Sequence, residues 1–113
     1  MKSFITKLSL LSLSCIISAT AIAGGAVGWQ KVEVVNQRSC APDRGLEVTF
    51  TTAHLNPDHC LNARTVEVDC GLPTYKQILA MVLTAQAANM EVNAYVSGCD
   101  SDNQAKVSSI RLR

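Results

Sequence analysis

With 113 residues, ten lysines and arginines against nine aspartates and glutamates, and 48% hydrophobic residues, the chain has room for one small domain. No run of basic residues occurs anywhere, so the electrostatic footprint of a nucleic-acid partner or an anionic membrane surface is missing. An aromatic content of 4% leaves few side chains for stacking a ligand.

Residues 1–23 read as an export signal. Lys2 and Lys7 supply a positive start, Leu8 to Ile22 is uncharged and apolar or small, and Ala21-Ile22-Ala23 is a small-x-small motif that places cleavage after Ala23. The apolar run falls short of the roughly 20 residues a membrane helix needs, and no second run follows, so no membrane span is expected. A lipoprotein signal would use Cys15, but Ser12 stands where such signals carry Leu and the apolar run continues past Cys15. The expected mature chain, residues 24–113, is one disulfide-bonded domain, periplasmic or secreted. Losing Lys2 and Lys7 from the ten basic residues leaves eight against nine acidic ones, a net charge of −1. Losing Cys15 leaves four of the five cysteines, Cys40, Cys60, Cys70 and Cys99. An even number behind an export signal predicts two disulfides, and spacing alone does not choose among the three pairings.

Gly24, Gly25 and Gly28 form a flexible lead. Over 27–37, Val32 and Val34 alternate with Lys31, Glu33 and Val35, which predicts a half-buried strand. Trp29 is out of phase with Val32, and a bulge near Gln30 would bring both to one face. Residues 38–45, with Ser39, Pro42, Asp43 and Gly45, carry loop chemistry. Over 45–52, Leu46, Val48 and Phe50 alternate with Glu47, Thr49 and Thr51, a second strand. Residues 53–63 are irregular, with a turn at Asn56-Pro57-Asp58. Over 64–69, Val66 and Val68 face in and Glu67 faces out. After the break at Gly71-Leu72-Pro73, Thr74 and Gln77 have capping-box spacing. Tyr75 to Ala88 lacks Gly and Pro and predicts a helix, with Asn89 as a left-handed terminator. Its apolar arc, which includes Tyr75, Ile78, Leu79, Met81, Val82, Leu83 and Ala85, spans roughly 200°. The opposite face carries Lys76, Ala80, Thr84, Ala87 and Ala88. Over 91–97, Val92, Ala94 and Val96 alternate with Glu91, Asn93 and Tyr95. A polar turn over 100–104 precedes a last strand over 106–113, with Ser108, Ile110 and Leu112 on one face and Val107 on the other.

The order β-β-β-α-β-β, mainly β with one helix between the third and fourth strands, is that of an OB-fold-like five-stranded barrel in which the helix closes one end. An α+β sheet with a helix across it is the alternative. The barrel also selects a pairing, because bridged Cα atoms must lie within about 7 Å. Cys40, after strand one, and Cys70, ending strand three, fall at one end. Cys60, before strand three, and Cys99, after strand four, fall at the other. The expected bridges are Cys40–Cys70 and Cys60–Cys99.

Tyr75-Lys76-Gln77-Ile78-Leu79, Leu83-Thr84-Ala85, Val92 to Cys99 and Lys106-Val107 to Ile110 together resemble small exported OB-fold toxin B subunits, the subtilase-type cytotoxin binding subunit in particular. The likeness covers roughly residues 60–112 and is carried by apolar spacing and cysteine placement. It implies a pentameric ring with helices lining the centre and glycan binding on the barrel wall.

Trp29 and Tyr95 are the aromatic residues from which a ligand platform could be built, since sugar rings stack on aromatic faces. Trp29 would otherwise fill the core. The small side chains of Ala80, Thr84, Ala87 and Ala88 would let a second helix approach closely, as a homo-oligomer seam, or else form a solvated face. His54, Asp58 and His59 crowd one loop, but their spacing fits no established zinc pattern. Asp100 and Asp102 lack the ligand spacing of a calcium loop. Neither Ser39 nor Thr74 lies in a nucleophile motif with a histidine and an acidic orienter. The expectation is a non-enzymatic module without metal or cofactor, binding a glycan or a protein. The alternative is a stand-alone periplasmic structural or inhibitory protein with a protein partner.

Overall fold

The computed structural model describes residues 24–42 and 44–113. The expected leader, with its cleavage site and Cys15, lies outside the described residues. Six strands and one helix follow in the order β1 (Gly25–Ala26), β2 (Gln30–Gln37), β3 (Gly45–Phe50), β4 (Asn62–Asp69), α1 (Tyr75–Ala88), β5 (Glu91–Cys99) and β6 (Gln104–Leu112). The strands lie in the order β1-β5-β2-β3-β4-β6, and β5 pairs with β6 as well. That last pairing closes β2, β3, β4, β6 and β5 into a five-stranded barrel. All barrel pairs are antiparallel except β4 with β6, which are parallel. This is the OB-fold-like architecture. The helix follows the third barrel strand, here β4, and packs on β2, β4, β5 and β6.

The core is built from the alternate residues of each strand, because successive side chains of a strand point to opposite faces. Leu46, Val48 and Phe50 of β3, Val66 and Val68 of β4, Val92, Ala94 and Val96 of β5, and Ala105 and Val107 of β6 are all buried. Ile78, Val82 and Ala85 of α1 join the same cluster. Full burial of one such aliphatic or aromatic side chain is worth about 1.5–3 kcal/mol.

Two bulges shift the expected phase. The β2–β3 register slips between Val32 and Val34. The extra residue turns Val34 outward, 48% exposed, while Val35 packs against the core with Val32. In β6 the register slips so that Tyr95 opposes Ser109 and Val96 opposes Val107. Ser108 is the unpaired residue, and its hydroxyl donates to the Tyr95 carbonyl at 3.1 Å. Val107 therefore faces the core, contrary to the strict alternation expected of the last strand.

The glycine lead is also more ordered than its composition implies. Gly25 and Ala26 pair with Val96 and Tyr95 of β5. The chain then breaks at Gly28, φ +86°, and re-enters the sheet at Gln30, which pairs with Val92. The irregularity near Trp29 is thus a break between β1 and β2.

At the helix start Thr74 makes no side-chain cap hydrogen bond, so the expected capping box does not form. Its φ of −97° and ψ of 14° depart from the extended backbone an N-cap needs. The turn already satisfies the first helical amide, since Tyr75 N donates to Leu72 O at 2.9 Å. At the other end Asn89 adopts the left-handed conformation, and its amide hydrogen bonds to Ala85 O.

Both bridges join the ends of the barrel as the strand directions require. Cys40 pairs with Cys70, Cα atoms 5.7 Å apart, and Cys60 with Cys99, 5.6 Å apart. Two such bonds fit an oxidising, exported compartment. Among the described residues no helix is long and apolar enough to cross a membrane.

Candidate functional site

The outward residues of β5 and β6 come into register on one patch of wall. Asn93 opposes Arg111, Tyr95 opposes Ser109, and on the far side of β5 Ala26 opposes Tyr95. Residues two apart on a strand share a face, so these side chains stand together. They line a recess of about 160 Å³. Tyr95 is 46% exposed at its edge. Asn93 is nearly buried, and its Oδ1 accepts from Gly28 N at 3.1 Å, which ties the recess floor to the break before β2.

Trp29 lies beside this patch, half-buried and outside the core cluster. The Arg113 guanidinium stands 4.3 Å from the ring centroid and that of Arg111 5.6 Å. Such cation–π contacts are worth about 0.5–1 kcal/mol where exposed. The structure thus brings Trp29 and Tyr95 to one region through Arg111, which stacks on the first and lines the recess with the second. Arg111 and Ser109 were not singled out as site residues from the sequence. Only the β5–β6 register, with its bulge, reveals that they join the aromatics.

On α1, Ala80, Thr84, Ala87 and Ala88 are all exposed. Leu83, assigned to the apolar arc, is 47% exposed and belongs to this outward face instead. The 14-residue helix carries one charge, Lys76, and the Thr84 hydroxyl donates to Ala80 O at 2.8 Å. The outward surface is consequently small and weakly polar.

The histidine loop scatters its side chains. His54 is buried, with its ring edge-on to Phe50 and its Nδ1 hydrogen-bonded to the Leu55 carbonyl. Asp58 accepts from the amides of Gly24 and Gly98, at 3.3 and 2.7 Å. His59 is exposed at positive φ. Among the described residues no group of three His, Cys, Asp or Glu side chains has metal-holding geometry.

A second polar region sits on the outer face of β3 and β4. Glu67 was expected to face out into solvent. It is 1% exposed, set between Glu47 of β3 and Lys106 of β6 on the same face. Its Oε1 accepts from Gly45 N at 2.7 Å. Asp100 Oδ1 accepts from the amides of Asp102 and Gln104, both at 2.8 Å, which shapes the turn. Arg38 bridges Glu47 at 3.1 Å and Asp102 at 3.0 Å, and Gln104 Nε2 donates to Glu47 Oε2 at 2.8 Å. Burial, seconded by the charges of Asp100 and Glu47, pushes the Glu67 carboxyl from 4.5 up to about 7, against the pull of Gly45 N–H and Arg38.

A larger hollow of about 420 Å³ lies over Leu61, Asn62, Ala63, Arg64, Asp102 and Asn103. It has no aromatic wall. Comparison with family models, with curated proteins and with solved structures returned no match.

Proposed function

We propose that this chain is an exported, non-catalytic binding module of the toxin-B-subunit kind, which takes a glycan or protein ligand on the wall around Tyr95 and Arg111. The observation that supports this most is the recess itself. An exposed phenol, a guanidinium, a serine hydroxyl and a fixed amide meet on rigid strands, with Trp29 alongside. Flat apolar rings beside hydrogen-bonding groups suit a hydroxyl-rich ring. A glycan array probed with the oxidised protein and with Tyr95→Ala and Arg111→Ala tests it. The reading requires hits with the wild type that fall at least about tenfold, roughly 1.4 kcal/mol, in either variant. Hits that both variants retain refute it.

The assembly part of the reading is a homo-oligomer joined through the outward face of α1. Its support is the near absence of charge on that face. Light scattering should give a multiple of the single-chain mass, and Thr84→Glu should return it to one chain. A wild-type protein of single-chain mass removes the ring.

One observation favours the alternative, a stand-alone protein with a protein partner. Arg113 already covers one Trp29 face, while Leu55 and Leu61, in the loop before β4, are 66% and 83% exposed. An empty array would favour that reading.

A further inference from the structure

Glu67 sits in a cluster that has acceptors and too few donors. Its Oε2, Asp100 Oδ2 and Gln104 Oε1 are all buried without a hydrogen-bond partner. All three residues are more than nine-tenths buried. An acceptor left unpaired in the interior costs about 1–3 kcal/mol, so such a group calls for a partner.

The surroundings offer little to fill that need. From β3, Glu47 stands directly across from Glu67, a like charge on the same face. From the loop after β2, Arg38 is engaged by Glu47 and Asp102, and Arg44 reaches Asp102 at 3.5 Å. From the turn before β6 come Asp100 and Asp102. From β6 itself, Gln104 gives one of its two amide N–H groups to Glu47, and Lys106 is in register with Glu67. One change converts an acceptor into a donor: protonation of a carboxylate.

We propose that Glu67 is held as a neutral carboxylic acid, its Oε2 hydroxyl supplying the donor that this cluster lacks, and that losing the proton to solvent loosens the 100–103 turn from the β3–β4 wall. The proton acts as a latch. With it in place, the turn is held by Asp102 on Arg38 and Arg44 and by Gln104 on Glu47. Without it, Glu67, Asp100 and Glu47 bring three negative charges together under the turn, and moving the turn outward is the relief available. The latch joins the two disulfide-bearing ends, since the 38–44 loop carries Cys40 and the turn follows Cys99 directly.

The test is a ¹³C titration of the Glu67 carboxyl in the intact, oxidised wild-type protein. The midpoint should lie near 7 rather than at the ordinary 4.5, and the amides of Gly45, Asp102 and Gln104 should shift with the same midpoint. Asp100→Asn keeps the acceptor that shapes the turn and should lower the Glu67 midpoint. Glu67→Gln replaces the hydroxyl donor with an amide. Relative to that variant, the wild-type unfolding constant should rise roughly 140-fold between pH 4.5 and pH 8. A Glu67 midpoint at or below 4.5 overturns the proposal. So does stabilisation by millimolar calcium at pH 8 that Glu67→Gln abolishes, which would assign the free oxygens to a cation instead.

Discussion

Removing the Cys60–Cys99 bridge probes how the barrel is held shut. The two residues are 39 positions apart and enclose β4, α1 and β5. On the loop-entropy account, freeing a loop of that length costs about 3.9 kcal/mol at 25 °C. The Cys40–Cys70 bridge, spanning 30 positions, gives about 3.7 kcal/mol. Entropy alone therefore makes the two bridges nearly equal. Packing separates them. Cys60 is 5% exposed and belongs to the core, whereas Cys40 is exposed. Truncating Cys60 to alanine adds a small cavity worth about 1 kcal/mol. The paired Cys60→Ala, Cys99→Ala variant should thus lose about 5 kcal/mol, and Cys40→Ala, Cys70→Ala about 4. A domain of residues 24–113 has about 5–13 kcal/mol to lose, so the first variant should be marginal. Urea unfolding followed by circular dichroism measures both losses, with a steeper denaturant dependence expected as the freed chain expands. A loss below about 1 kcal/mol for the Cys60–Cys99 pair, or a larger loss for the Cys40–Cys70 pair, would refute the reasoning.

Three further outcomes follow from single residues. Gly45→Ala would place a Cβ 2.7 Å from both Cys70 N and Val68 O, a backbone clash expected to lower stability by about 2 kcal/mol or more, read from the urea midpoint. At Asn89, φ 54°, substitution by alanine should cost about 1 kcal/mol while glycine is neutral or stabilising, as thermal melts would show. The Glu67 carboxyl is raised from 4.5 to about 7; its contribution is fully present below 4.5, fades through that window and is gone above it. Wild-type melting temperature should fall relative to Glu67→Gln as pH rises, by the equivalent of about 3 kcal/mol.

The elements with clean periodicity were legible because their own pattern decides them. Leu46-Val48-Phe50 and Val92-Ala94-Val96 alternate without exception, and α1 has neither glycine nor proline. The bridges were legible because strand direction sorts four cysteines between two ends. What escaped depends on contacts between distant segments. The bulges at Glu33 and Ser108 are set by the partner strand, and they decide whether Val34, Val35 and Val107 point in or out. Glu67 sits at an outward position, and it is buried among Gly45, Glu47 and Asp100, from segments its own periodicity does not encode. The capping box at Thr74 lost to a turn hydrogen bond from Tyr75 that its spacing does not encode. Of the binding patch, Trp29 and Tyr95 could be named from chemistry alone. Arg111 and Ser109 required the register of β6.

The most direct measurement maps a bound ligand onto the wall by amide chemical shifts, using the glycan with the highest affinity on the array. The account predicts shifts at Ala26, Asn93, Tyr95, Ser109 and Arg111, with saturation at a single affinity. Shifts confined to residues 61–64 and 102–103, over the larger hollow, would contradict it.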